Sequence, residues 1–180
     1  MRTVRFKDWL ILIGIAAAVI AVDQLSKAVV TRNLYFGESI PVIPPVFSIT
    51  LSENTGAAFG FLSQGGNVFL ILAIAIVVGI VVFYPRIVRS GLLTQVGVAM
   101  VAGGAVGNGI DRLTNGAVID FIHYTLPGVI SNISNLADHA IVLGVILIVI
   151  ESFRSDARRR ADQATASPPE ASADLPEGPA

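Results

Sequence analysis

Residues 9–30 read WLILIGIAAAVIAVDQLSKAVV. From Leu10 to Val22 no residue is charged; Asp23 and Lys27 follow, and Ala28 to Val30 resume the apolar pattern. A bilayer core about 30 Å thick needs roughly 20 apolar residues per helix. The stretch is therefore predicted to span a membrane. Arg2, Arg5 and Lys7 in front of it give the outline of a cleavable signal peptide. The apolar residues past Asp23 favour a retained span instead.

Three further stretches have the same character: about Val68 to Tyr84, Leu92 to Ile110 and Leu136 to Phe153. Composition agrees, since only 14% of the 180 residues are charged and 53% are apolar. A soluble domain carries about 25% charged residues. The expected fold class is an all-α membrane protein, a four-transmembrane-helix bundle with a small extracytoplasmic β-like lobe. The membrane domain is read as residues 1–153, with the lobe drawn from about 31–67 and 111–135. Val46 to Leu51 is its best strand. Residues 154–180, rich in Ala, Pro, Ser and acid, are expected to be a disordered cytoplasmic tail. The chain has no cysteine, which excludes disulfides and thiolate metal sites.

Cytoplasmic loops hold the Lys and Arg excess of a membrane protein. Arg2, Arg5, Lys7, Arg86, Arg89, Arg154, Arg158, Arg159 and Arg160 fall on one side of these spans, against Lys27, Arg32 and Arg112 on the other. Both termini are therefore expected in the cytoplasm. Trp9, Tyr84 and Phe153 are placed as interfacial anchors at the inner boundary.

Ionisable groups within spans are costly unless paired or solvated, so they are functional candidates. At about 1.5 Å per residue, Asp23 lies roughly 21 Å above Trp9, Asn108 roughly 24 Å above Leu92, and Asp138 roughly 22 Å above Phe153. Polar groups of three spans thus reach one level near the outer face. Asn108, Asp111 and Arg112 share one helical face, as do Asn135 and Asp138. Ala99, Gly103 and Gly107 make a small-residue run that lets helices approach closely. Asp120 lies in an apolar stretch, Val118 to Ile122, read as skimming the outer interface.

Plainer readings exist for each. Asp23 and Lys27, at i and i+4, form a simple ion pair in one of them. Asp111 and Arg112 become an interfacial cap and a snorkelling cation, and Asn135 an N-cap of the last span. Asp120 and Asp138 become unrelated surface acids. His123 and His139 are read as interfacial, and no metal is expected.

The sequence has no H-E-x-x-H and no G-x-S-x-G. Ser26 and Lys27 point to different faces, which disfavours a Ser-Lys dyad. Outer-level carboxylates and amides remain. Two close carboxylates can share a proton, one acting as base on water and the other as acid.

The chain resembles the lipoprotein signal peptidases (signal peptidase II). Asp23-Gln24-Leu25-Ser26-Lys27 is similar to that family's D-Q-x-x-K, and Asn54 to Gly60 to its N-x-G-A-A-F-G. Gly103 to Arg112 resembles G-G-A-x-G-N-x-x-D-R, Val118 to Phe121 resembles V-x-D-F, and Asn135 to Asp138 falls in F-N-x-A-D. The resemblance implies catalytic aspartates at Asp120 and Asp138, with Asp23, Asn54, Asn108, Asp111, Arg112 and Asn135 supporting them or the substrate. It implies an aspartic endopeptidase of the bacterial inner membrane that cleaves a prolipoprotein before a diacylglyceryl-modified cysteine. It implies no metal or other cofactor, and inhibition by globomycin. The expected partners are the lipidated prolipoprotein and membrane lipids, with no nucleic acid and the chain acting as a monomer. Ser134 departs from the usual Phe before Asn135, and His139 from the usual smaller residue after Asp138.

In the mechanism this suggests, Asp138, in the first turn of its helix, starts as base. Asp120, among apolar neighbours, starts as acid. Arg112 is expected to pair with Asp111 and pin the site. The segment before the last span is expected to act as a mobile cover, bending at Gly116, Pro127 and Gly128. The competing reading is a small ion-coupled transporter or ion-binding subunit, though no internal repeat supports it.

Overall fold

The computed structural model describes residues 4–56 and 66–166. Four long helices form the bundle: α1 (Phe6–Asn33), α2 (Gly66–Ile87), α3 (Leu92–Asn115) and α4 (Leu136–Ala166). A 3₁₀ turn, Val88–Ser90, joins α2 to α3. Each of the four helices is long and apolar enough to cross a membrane. Four strands, β1 (Ser39–Ile43), β2 (Phe47–Asn54), β3 (Val118–Leu126) and β4 (Ile130–Ser134), form one antiparallel sheet in that order.

The bundle buries its polar residues together with an apolar core of Leu12, Tyr84, Val88, Val98 and Ala99, and is apolar outside. α1 buries Asp8, Leu12, Asp23 and Lys27 while exposing Leu10, Ile13, Val22, Leu25 and Val29. α2 and α4 likewise expose Ile71, Ile74, Val82, Val142 and Val149. Hydrocarbon solvates such side chains at no cost, whereas polar groups must find partners within the protein.

α3 is the central helix and packs on α1, α2 and α4. Its small residues make this possible along two seams. Toward α1, a Cβ on Gly103 would lie 2.9 Å from the Ala16 carbonyl oxygen, and one on Gly107 2.7 Å from Asp23 Oδ2. This is the run expected from Ala99, Gly103 and Gly107. Toward α4, Gly97 and Gly144 face each other. A Cβ on either would lie 2.5 Å from the other's carbonyl oxygen. A Cβ on Gly104 would lie 2.5 Å from the Ala137 carbonyl oxygen. With so little between the axes, backbone packs on backbone.

Several expectations are corrected. α3 runs on to Asn115, so Asp111 and Arg112 belong to the bundle and not to the lobe. α4 continues past Phe153 to Ala166, so residues 154–166 are helical where a disordered tail was expected. Ala, Arg and Gln in that stretch are good helix formers, and the first proline beyond it is Pro168. Residues 167–180 lie outside the described residues. Tyr84 is wholly buried and is no interfacial anchor. Its hydroxyl donates to the Asp8 carbonyl at 2.5 Å, and its ring lies 4.8 Å from that of Trp9.

The segment expected to be a mobile cover is two strands of the sheet, paired Ile122 to Ser134 through Leu126 to Ile130. Gly116 (φ 74°) ends α3 in a left-handed cap, and Pro127-Gly128 makes the β3–β4 turn. The predicted strand Val46 to Leu51 is found as β2, which pairs Phe47 with Tyr124 and Ser52 with Asp120. Buried Leu34, Leu51 and Ile119 seat the sheet on the end of α1.

Candidate active site

β3 enters the bundle with its first five residues buried on both faces. Asp120 is the third of them and is 2% exposed. Asn54, at the end of β2, donates Nδ2–H to Asp120 Oδ2 at 3.0 Å. Asn135 donates Nδ2–H to Asp120 Oδ1 at 2.6 Å. Burial pushes the Asp120 carboxyl up to about 6; the amide from Asn54 opposes the rise and the nearby Asp138 adds to it.

Asn135 is fully buried and precedes α4. Its Oδ1 accepts the Asp138 backbone N–H at 3.0 Å, the N-cap geometry expected of it. Asp138 thus stands in the first turn of α4. Its Oδ1 accepts Nδ2–H from Asn108 of α3 at 2.7 Å. Asn108 Oδ1 in turn accepts from Asn135 Nδ2 at 3.1 Å. Strand, cap and helix therefore bring the two aspartates onto one pair of amides.

Behind the amides lies an ionic cluster. Lys27 Nζ is 2.8 Å from Asp23 Oδ2, 2.7 Å from Asp111 Oδ2 and 3.2 Å from Asn108 Oδ1. Gln24 donates to Asp111 Oδ1 at 2.9 Å. Asp23 and Lys27 do form the i, i+4 pair, but the pair also reaches α3. Lys27 and Gln24 are site residues that sequence reasoning missed. The signal was present in Lys27, the one lysine beyond residue 7, one turn from Asp23.

Arg112 does not pair with Asp111. Adjacent helix residues diverge by about 100°, and Lys27 takes the acid instead. Arg112 donates to the Asn108 carbonyl at 3.2 Å, with its guanidinium 5.4 Å from the Phe69 ring centroid. There it borders an open cleft of about 560 Å³, lined also by Asn54, Phe69, Tyr124, Asp138 and His139. His139 donates Nδ1–H to the Asn135 carbonyl at 2.7 Å and tilts against Tyr124 at 6.0 Å. His123 sits apart on the sheet among hydroxyls, near Thr50 (3.1 Å) and Ser131 (2.9 Å).

Of the Asn54 to Gly60 motif, Ala57 to Gly60 lie outside the described residues. Among the described residues, no three or more of His, Cys, Asp and Glu are grouped to hold a metal ion. The arrangement is one of two carboxylates, Asp120 buried and inclined to keep its proton, and Asp138 lining an open cleft. Such a pair can supply a general acid and a general base.

Known proteins resemble the chain over most of its length. The chain is 38% identical to the lipoprotein signal peptidase of Bacillus subtilis (strain 168), over 83% of its own length and 97% of the relative's. It is 41% identical to the lipoprotein signal peptidase of Geobacillus thermodenitrificans (strain NG80-2), over 77% and 87%. Two solved structures described as bacterial membrane enzymes share its fold. One has a TM-score of 0.75 at 33% identity, covering 96% of this chain and 99% of the other. The second has a TM-score of 0.72 at 37% identity, covering 83% and 96%. Residues 15–154 match the family described as Signal peptidase (SPase) II, and to that family the chain belongs.

Proposed function

We propose that this chain removes signal peptides from prolipoproteins, cutting before the lipid-modified cysteine, with Asp120 and Asp138 as the catalytic pair. One observation carries the reading. Asp120 and Asp138, from separate elements, accept from Asn135 and Asn108, two amides bonded to each other, and Asp138 lines an open cleft on a bundle whose outside is apolar. The peptidase names of the relatives support it, and they give no support to the transporter alternative.

In this mechanism a water lies between the two acids. Asp138 takes a proton from it as its oxygen attacks the scissile carbonyl carbon. Asp120 gives its proton to the carbonyl oxygen, forming a neutral gem-diol. The leaving nitrogen is then protonated by Asp138, the C–N bond breaks, and a diol proton returns to Asp120. Asn108 and Asn135 hold the carboxylates still, and Asn54 steadies Asp120. An apolar groove of about 210 Å³ between α2 and α3, lined by Leu70, Val77, Val106 and Ile110, suits an apolar part of the substrate.

The chain crosses the bacterial cell membrane four times in this reading. Both termini are cytoplasmic, the sheet lies outside, and the site is near the outer leaflet. Arg5, Lys7, Arg86, Arg89 and Arg154 at one end of the bundle support that orientation. The membrane domain of residues 1–153 is followed by a cytoplasmic tail. One chain supplies every residue of the site, which supports action as a monomer among membrane lipids.

The test is direct. Purified protein incubated with a lipidated prolipoprotein should release a fragment with the mass of the signal peptide, and a chelator should not slow it. No mass change, or full inhibition by chelator, sinks the reading.

A pH dependence follows from Asp120. Its proton is needed at the start of the cycle, so kcat/KM should fall as pH rises through about 6. The Asn54 bond favours the ionised form. Asn54→Ala should therefore move this alkaline limb upward by roughly one unit. The pair titrates as a unit, so the limb is macroscopic. An unmoved or lowered limb in the variant contradicts the assignment.

A further inference from the structure

Lys27 is 3% exposed and reaches neither aspartate directly, yet its partners touch the surroundings of both. An ammonium has three protons and no acceptor. Here all three have acceptors: Asp23 Oδ2, Asp111 Oδ2 and Asn108 Oδ1. Each carboxylate also holds one backbone N–H. Asp111 Oδ2 accepts from Ile119, the residue before Asp120, at 3.2 Å. Asp23 Oδ1 accepts from Ala137, the residue before Asp138, at 3.0 Å.

The third bond sets a direction. A side-chain amide can turn over and exchange its oxygen and nitrogen. Turned over, Asn108 would face Lys27 and Asn135 Nδ2 with its own donors, and Asp138 with its oxygen. The ammonium, which can only donate, forbids this. At the other end of the chain of amides, the Asp138 backbone N–H fixes Asn135 in the same way. One amide hydrogen of Asn135 is thereby aimed at Asp120 and one of Asn108 at Asp138.

We propose that Lys27 is a positioning residue of the dyad. Through Asp111, Asp23 and Asn108 it fixes the place of both aspartates and the direction of the hydrogen bonds they receive. The proposal rests on the peptidase reading above. It requires the N–H groups of Lys27, not its charge alone.

The structure offers a way to separate these. A polar cleft of about 540 Å³, lined by Gln24, Lys27, Thr31, Glu53, Asp111 and Asn115, opens beside Lys27, and neither Asp120 nor Asp138 lines it. A small amine can enter there. In detergent or lipid, Lys27→Met should lower kcat by about 100-fold, the scale of a misplaced catalytic group, with KM changed less than about threefold. Adding ethylammonium to Lys27→Ala should restore kcat at least about tenfold, whereas tetramethylammonium, a cation without N–H, should restore none. Lys27→Met/Asp111→Asn keeps the buried net charge of the cluster and guards against misfolding. It should melt near the wild type and remain slow.

Wild-type kcat in a folded Lys27→Met or in the double variant overturns the proposal. So does equal rescue by tetramethylammonium, which would make Lys27 a counter-charge only. Wild-type cleavage in the same assay keeps the two readings apart. Its absence refutes the peptidase, whereas its presence with an undiminished Lys27→Met refutes only the positioning role.

Discussion

Asp120→Asn and Asp138→Asn should each cut prolipoprotein at less than about a thousandth of the wild-type rate, at every pH. An Asn cannot take the proton of water, nor give one to a carbonyl oxygen. Because the two acids act in one step, removing both should cost little more than removing either. The fold should survive. Asp138 contributes its backbone N–H to the cap whatever its side chain. In Asp120→Asn the new amide oxygen still accepts one of the two bonds that Asn54 and Asn135 donate. The measurement is kcat/KM against pH together with a melting curve. Turnover within tenfold of wild type in either folded variant would remove the dyad from the mechanism.

The second large effect belongs to Asn135, which is fully buried and has three tasks. It caps α4, donates to Asp120 and donates to Asn108. Asn135→Ala should lose all of them, reducing activity by about 100-fold or more and stability by about 1 kcal/mol from the lost cap. Asn135→Asp separates the tasks. Its carboxylate still caps the Asp138 N–H, but it has no hydrogen for Asp120 and sets a second acid against it. Its alkaline limb should rise, if turnover is measurable at all, because a neighbouring negative charge favours the protonated form of Asp120. An Asn135→Asp enzyme as active as wild type would show that the amide hydrogens are dispensable.

The helices were legible because lipid leaves an imprint on every side of a span. Val68 to Tyr84 is apolar all round, and length alone then identifies α2. The meeting of Asp23, Asn108 and Asp138 was legible for a similar reason, since depth in a bundle follows from residue counts. The sheet was harder. β3 begins Val118-Ile119-Asp120-Phe121-Ile122, buried on both faces, so it lacks the alternation that marks a half-solvated strand. It read as an interfacial stretch, and β4 as part of a cover. Lys27 was missed because Asp23, one turn away, satisfied it locally. Nothing in the chain order announces Asp111, which lies on another helix. Arg112 was given the wrong partner by adjacency in sequence, which on a helix means pointing elsewhere. The limit of α4 was misplaced because the Ala, Pro, Ser and acid composition of 154–180 was read as one disordered tail, although its first part holds good helix formers and no proline.

The contact of Gly97 with Gly144 leaves a mark on what mutation can do to this gene product. At that crossing even a methyl group has nowhere to go, so drift is confined to a single residue type at each of two positions. On the outward faces of α2 and α4, isoleucine, valine and leucine can exchange freely, for acyl chains rearrange around any of them. Random mutagenesis selected for retained folded protein should return a sharply two-toned bundle, permissive on its rim and nearly frozen along one narrow line where two backbones touch.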